Sequence, residues 1–515
     1  MIDYVLPSLL NLIDPFNIGL MLLGLTGGII TGALPGLSAT MGVALMVPVT
    51  FAMNPTSGLI MLGAIYVGAI YGGANSAILI CTPGTPSSVA TTFDGWPLTQ
   101  RGEADVGLYT SLISSGIGGF IGVIFLLCLA RPLAHFALSF GGSENFWLCL
   151  FGLSTIAVMS PGNMGKGIVS GAIGLLVSTI GLDPNTGTPR FTFGAYSLSQ
   201  GISVIPCMIG LFSFSQVLFL LGSNKKFVAE YHPHKGVFYK TFKHLVTRCK
   251  TILLRSSLIG TAIGMLPGAG GEIASIIAYN ESKRWAKDPS KYGTGIIEGV
   301  ASSESANNAV IGGSLIPMLT LGIPGESVTA VLMGGLIIQG LQPGPELFTR
   351  YAPMTYTFFA GFVLVQFFML GIGLLGCRGF AQISRLSDAI LIPSVAVLCV
   401  VGSFAIHKNF FDVVIMMIFG VLGYLVRKFD LNPAAIVLAL ILGPIGENGL
   451  RRSLRLSGGS PAILFSTPLC WVLIALCVFG VCSPIFMNRM EKKAVENAGG
   501  DIPNETGDDP VRTSD

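Results

Sequence analysis

The first hundred residues contain no lysine and no arginine; the first basic side chain is Arg101. Charge is scarce throughout. Asp, Glu, Lys and Arg make up 11% of the 515 residues, against roughly 25% in an ordinary soluble domain. Metal signatures are missing too: the ten cysteines form no CxxC or CxxxC pair. Most of them, such as Cys81, Cys128, Cys149, Cys377, Cys399, Cys470 and Cys477, interrupt apolar runs as small buried hydrophobes do. The five histidines give no ligand pattern, and His232, His234 and His244 share one basic loop. There is no GxSxG, no HExxH and no GxxxxGK[ST]. These absences argue against an enzyme and against ATP hydrolysis by this chain. No cofactor, no resident metal and no nucleic-acid partner is expected. A removable leader, with basic, apolar and cleavage regions, is also not evident, so the first apolar segment is expected to stay.

Apolar sequence takes the place of charge. Hydrophobic residues make up 51% and mean hydropathy is +0.73. Several runs exceed the ~18 residues that suggest a membrane-crossing helix. The expected fold is an all-α polytopic membrane protein with ~10–12 transmembrane helices, some of them broken or re-entrant. Residues 1–488 read as a single transport domain. Its first half runs from about 16 to 222, a basic loop covers 223–255, the second half about 256–447, and a terminal span about 462–484. Residues 489–515 are polar and read as a disordered tail. Three stretches resist a simple helix: "GGANSAILICTPGTPSSVATTFDGWP" (72–97), "EGVASSESANNAVIGG" (298–313) and "LTLGIPGESVTAVLMGG" (319–335).

Two phrases repeat. "GALPGLSAT" (32–40) matches "GMLPGAGGE" (264–272) at an offset of 232, which also carries Gly28 onto Gly260. The same offset places "ANSA" (74–77) on "ANNA" (306–309), matching Asn75 to Asn307. Farther on, with an insertion, Pro83 and Gly84 match Pro324 and Gly325. No basic residue precedes the first copy, whereas Lys225, Lys226, Lys235, Lys240, Lys243, Arg248, Lys250 and Arg255 crowd before the second. Cytoplasmic loops gather Lys and Arg. The two copies are therefore expected to enter the membrane from opposite sides, as an inverted repeat. The N-terminus is placed outside and loop 223–255 in the cytoplasm.

The repeated phrase explains itself physically. Pro35 and Pro267 lack an N–H and disrupt a continuous helix, while Gly36, Gly268 and Gly270 permit tight turns. A helix that stops and restarts in the membrane offers free N–H groups and a positive dipole end to an anion. Beside the breakers stand neutral hydrogen-bonding groups: Ser38, Thr40, Asn75, Ser76, Thr82 and Thr85, then Asn307, Asn308 and Ser327. Interhelical packing explains many such residues; gripping a carboxylate or ligating Na+ through oxygen is the functional reading. Glu272, Glu304 and Glu326 would repel an anionic cargo, so they read as ion-coupling or gating groups. Asp94 and Glu304 also fit an interfacial position.

Four phrases, "GALPGLSATMGVALMVPVTF", "AIYGGANSAILICTPGTPSSVATTFDG", "GMLPGAGGEIASIIAYNESKR" and "EGVASSESANNAVIGGSLIPMLTLGIPGESVTAVLMGG", resemble the large membrane subunit of the bacterial tripartite tricarboxylate transporters, and the likeness runs from about residue 16 to 450. The resemblance implies a multi-pass subunit in the bacterial inner membrane, embedded in lipid. It implies two partners: a periplasmic carboxylate-binding protein and a small four-helix membrane subunit. It further implies uptake driven by a Na+ or H+ gradient. A stand-alone carboxylate carrier or exchanger, and a passive anion channel, are the alternatives.

Overall fold

The computed structural model describes residues 11–34, 37–154, 164–183, 186–221, 236–268, 270–383 and 388–479. They are almost wholly helical. The first part holds α1 (Pro15–Ala33), α2 (Ala39–Phe51), α3 (Pro55–Ile80), a 3-10 turn (Pro86–Ser88), α4 (Val89–Gln100), α5 (Ala104–Ala137), α6 (Gly142–Ser154) and α7 (Met164–Ser178). A two-residue strand pair, Gly181–Leu182 with Pro189–Arg190, follows. Helix α8 then joins Val204–Met208 to Ser215–Leu220 through a π-helical turn at Ile209–Phe214. The expected basic loop 223–255 is corrected: its part from 237 onward is helical, forming α9 (Val237–Arg248) and the start of α10 (Lys250–Gly264), because the basic residues alternate with apolar ones at helical spacing. Then come α11 (Gly270–Arg284), α12 (Ile297–Leu321) and α13 (Ser327–Ile338). Last are α14 (Ala352–Ile383), α15 (Asp388–His407), α16 (Phe410–Lys428), α17 (Pro433–Leu456) and α18 (Pro468–Phe479).

Helix starts follow local chemistry. Asp14, Asn54 and Asn432 each precede a proline and accept a hydrogen bond from a backbone N–H of the first turn. Such a side chain satisfies one orphan donor, and proline at the first position has no N–H to strand. Among the described residues six helices are long and apolar enough to cross a membrane: α1, α3, α5, the Ala352–Gly376 part of α14, α16 and α17. Shorter apolar helices of 10–17 residues, including α2, α13 and α18, stand beside them, so among the described residues fewer helices are of full crossing length than the ~10–12 expected. The predicted tail lies outside the described residues.

One expectation is corrected. The stretch 298–313 does not break the helix; it lies inside continuous α12. Gly299 through Thr320 are all buried, so other helices, not lipid, receive their hydroxyls, amides and carboxylate. A polar sequence therefore forms a continuous helix because it is sheathed by protein. Likewise 72–80 completes α3, and the chain leaves the helix only at Cys81, which is left-handed (φ 53°).

The two halves repeat their packing. A Cβ on Gly32 of α1 would lie 2.1 Å from the carbonyl of Ala69 on α3, and one on Gly264 of α10 would lie 2.8 Å from that of Val310 on α12. Gly72 against Ile29 (2.3 Å) has its counterpart in Gly313 against Thr261 (2.4 Å). Left-handed Cys81 corresponds to left-handed Gly322, and Gly84, packed on the Gly32 carbonyl, corresponds to Gly325, packed on that of Gly264.

These equivalences correct the register. The offset is 232 for α1 with α10 and for α2 with α11, but 241 from α3 with α12 onward. The nine extra residues lie between the paired helices: three residues join α2 to α3, and twelve join α11 to α12. Asn75 therefore matches Ile316, and Asn307 matches Tyr66; the "ANSA" and "ANNA" likeness is not a structural equivalence. The insertion occurs earlier than the sequence match suggested.

Helices α3 and α12 run in opposite directions. Ile78, Leu79 and Ile80, at the end of α3, pack with Val300 at the start of α12. Deeper in the pair, Tyr66 meets Ser314, their hydroxyl oxygens 3.2 Å apart. At the far end, Gln339 following α13 donates to the Thr50 carbonyl at the end of α2 (2.8 Å). Each half's hairpin helix, α4 or α13, thus abuts the connection between helices of the other half.

The α1–α3 crossing gives a direct test. Gly32→Ala forces a methyl into the Ala69 carbonyl and is expected to destabilise by about 1–3 kcal/mol. Gly27→Ala, with nothing within 4 Å of its Cβ, is expected to be neutral. Thermal unfolding of the detergent-purified variants reads the difference, and equal melting temperatures would refute the tight crossing.

Candidate functional site

The second breaker is stitched to the second hairpin. After α10 ends at Gly264, the chain turns through Met265–Gly268 and restarts as α11 at Gly270. Gly268, left-handed at φ 78°, donates its N–H to the Gly325 carbonyl (2.8 Å). Next in sequence, Glu326 caps α13: its N–H is held by Thr329 Oγ1 at 3.0 Å. The Glu326 carboxylate reaches the restarted helix, where Oε2 accepts the N–H of Gly271 (3.2 Å). Its Oε1 accepts the hydroxyl of Tyr66, from the other half. A carboxylate thus occupies the helix N-terminus that the sequence reading had reserved for an anion, where dipole and free N–H groups favour negative charge.

The first hairpin comes to the same place. Thr85, equivalent to Glu326, caps the turn before α4, its Oγ1 near Ser87 (3.1 Å) and Ser88 (3.0 Å). Ser87 borders the start of α11: a Cβ on Gly271 would sit 2.7 Å from the Ser87 Cβ and 2.8 Å from Asn307 Oδ1. Asn307 Oδ1 is buried and makes no hydrogen bond among the described residues. Buried amide oxygens are normally paired, and an unpaired one costs about 1–3 kcal/mol. The Asn75 amide, on α3, is likewise buried with neither end paired.

A second carboxylate lies deeper. Glu304 of α12 is fully buried and accepts from Thr91 Oγ1 of α4, Ser115 Oγ (3.1 Å) and Ser111 Oγ (3.3 Å) of α5. Ser303 Oγ lies 3.2 Å from the Thr91 hydroxyl. Asn308, one turn along, donates to Ser115 (2.8 Å) and leaves its buried Oδ1 unpaired. Neither Glu304 nor Glu326 forms an ion pair among the described residues. Hydrogen bonds to a charged group contribute roughly 1.5–3 kcal/mol each; removal from water costs several kcal/mol per ion.

Asp94 closes the end where α12 begins, and the nine-residue insertion gives it partners. Its Oδ1 accepts N–H groups from Gly293 (3.0 Å), Gly295 (2.7 Å) and Ile296 (3.0 Å), and Oδ2 accepts the Tyr279 hydroxyl (2.9 Å). Arg101 adds a bond to the Gly295 carbonyl. Asp94 is therefore buried and saturated, without the solvent access that is part of its interfacial reading, and it locks α4 to the connection before α12. A cavity of about 760 Å3 opens at the other end, among apolar residues such as Phe51, Met333 and Ile338, with Glu346 and His407 at its wall.

The remaining sequence-predicted residues divide. Ser76, Gly84, Thr85, Gly268, Gly270, Asn307, Pro324, Gly325 and Glu326 are gathered around the two hairpin turns. Ser76 donates to Gly73, and its Oγ is 2.6 Å from a Cβ on Gly84. Pro267 forms the turn into Gly268, Pro83 precedes Gly84, and Ser327 opens α13. Pro35 and Gly36 lie outside the described residues, between the ends of α1 and α2. Ser38 caps α2 through the Met41 N–H (3.2 Å), and Thr40 is buried in that helix. Thr82 is exposed and bonds the Ile80 carbonyl (3.2 Å). Glu272 is exposed in the first turn of α11. Sequence reasoning missed Tyr66, Thr91, Ser111, Ser115, Gly271 and Ser314. The hydroxyls of Ser111 and Ser115, four apart in an apolar helix, carried a readable signal; Tyr66 carried none, because its partner is 260 residues away.

Comparison with known proteins agrees with this architecture. Two relatives come from Agrobacterium vitis. One, the uncharacterized 52.8 kDa protein in the TAR-I ttuC' 3'region, is 33% identical over 487 residues, covering 94% of this chain and 97% of that protein. The other, the uncharacterized protein in the TAR-II ttuC' 3'region, is 33% identical over 241 residues, which is 46% of this chain and 100% of that protein. A family model matches residues 18–438, from α1 into α17. This chain therefore belongs to the tripartite tricarboxylate transporter TctA family.

Proposed function

We propose that this chain is the translocating subunit of an ion-driven carboxylate uptake system in the bacterial inner membrane. The observation that carries the reading is the junction at the start of α11. There a helix N-terminus, two hairpin turns from opposite halves and the buried Asn307 amide converge, and a carboxylate already sits in the anion position. A cargo carboxylate takes that position when Glu326 withdraws. Ser87 and Asn307 line the approach.

Glu304 is the coupling group. Its hydroxyl cage has no basic partner, so a proton or a Na+ completes the charge balance. Thr91 belongs to one hairpin helix, whereas Ser111 and Ser115 belong to α5. Loading Glu304 therefore ties the hairpin helix α4 to α5 and couples ion occupancy to movement. Antiparallel α3 and α12 support an inverted repeat, the arrangement that lets one structure open to either side. The Asp94 lock then closes the basic-loop side, which the distribution of Lys and Arg assigns to the cytoplasm. A periplasmic binding protein delivers cargo to the opposite face, and a small four-helix subunit accompanies this chain; both partners come from family membership.

Uptake of radiolabelled carboxylates by vesicles holding all three components, under imposed Na+ or H+ gradients, tests the reading. Gradient-independent uptake would favour a channel, and undiminished uptake without the binding protein a stand-alone carrier. Glu304→Gln is expected to abolish the response to the driving gradient, with uptake falling more than about tenfold. Asn307→Ala is expected to impair uptake while leaving insertion intact. Wild-type transport by both variants would remove the site assignment.

A further inference from the structure

Three metal-ligating side chains from separate segments meet outside the transport core. His244 lies on α9, Cys249 at the bend between α9 and α10, and Glu298 in the first turn of α12. His244 Nε2 is 3.2 Å from Glu298 Oε1. The imidazole nitrogen, the thiol sulfur and the carboxylate oxygen all lie within 4.8 Å of one another. We propose that they form a binding site for a divalent transition metal of the zinc class.

The donor set decides the class. Sulfur and imidazole nitrogen favour zinc-like ions over Mg2+ or Ca2+, which prefer all-oxygen shells. Zn–S and Zn–N bonds of roughly 2.0–2.3 Å bring tetrahedral ligands to within about 3.3–3.8 Å of each other. Side-chain shifts of about 1 Å close the present arrangement to that size. Three protein ligands leave a fourth position for water. On binding, Cys249 forms a sulfur–metal bond and its thiol proton goes to solvent.

Simpler explanations cover only parts of the cluster. An ion pair accounts for His244 with Glu298 but not for a thiol beside them. A packing cysteine accounts for Cys249 among Ile113, Leu253 and Ala301, but not for two polar ligands at its edge. Cys249 is 0% exposed, whereas the His244 and Glu298 side chains are 38% and 33% exposed. An ion would therefore sit where the apolar cluster meets solvent, with a route in. Lys240, Lys243 and Arg248 on α9 repel loosely held cations, so binding here rests on direct ligation.

The consequence is regulatory. Glu298 lies two residues after Ile296, whose N–H is held by Asp94. A bound metal braces α9 against the start of α12 and stiffens the closure at this end, without touching Glu304 or Glu326.

The test uses the full-length chain in detergent, stripped with a chelator and titrated with ZnCl2. One equivalent is expected to bind, and His244→Ala and Cys249→Ser are each expected to weaken binding by more than about tenfold. Co2+ is expected to give a thiolate-to-metal charge-transfer band that Cys249→Ser removes. His244 is partly exposed, so its variant keeps the fold, as unchanged metal-free melting will show. Absence of stoichiometric Zn2+ uptake, equal affinity in both variants, or a Co2+ spectrum without the sulfur band would each overturn the site.

Discussion

Backbone that leaves the helix within a bilayer finds no water there, so each freed N–H and C=O must be met by protein. The described breaks obey that constraint in one manner: each hairpin turn is pressed onto an interrupted or closely crossed helix of its own half. Gly268 gives its N–H to Gly325, and Gly84 gives its N–H to Gly73. Gly84 and Gly325 also approach the carbonyls of Gly32 and Gly264 so closely that a side chain at either position would collide. The hairpin turns are held by the helices they press against, while Cys81, Thr82 and Leu266 stay exposed at the breaks.

Charge burial follows from the same geometry. Once two hairpins are fixed near the middle of α3 and α12, the groups between them are buried and lined by hydroxyls. Glu326 then meets a helix N-terminus and Tyr66; Glu304 meets three hydroxyls. Neither meets a cation among the described residues. Neutral partners soften desolvation without cancelling the charge. Asp94 differs: three backbone N–H groups and a tyrosine saturate it, and a saturated carboxylate acts as a fastener.

The fastener exists because the repeat is imperfect. In the first half three residues join α2 to α3. In the second half the corresponding connection is nine residues longer and provides Gly293, Gly295 and Ile296 to Asp94. At the opposite end, Gln339 and the Thr50 carbonyl make a lighter contact. Two pseudo-equivalent ends are thus held by unequal sets of contacts.

Composition and pattern settled the membrane class, the helical fold and the repeated interruption, because low charge and proline–glycine breaks act locally and can be read in the chain. The breaks near residues 34–38 and 265–269, the asparagine caps and the two hairpin turns all follow from such local rules. Tertiary structure alone decided the register, since the nine-residue insertion hides where the "ANSA" likeness suggests no gap. It alone paired Tyr66 with Glu326, Thr91 with Glu304 and Asp94 with residues 293–296. Those contacts join positions about 200 or more residues apart. They depend on how antiparallel helices face one another, and that is a property of packing rather than of sequence spacing.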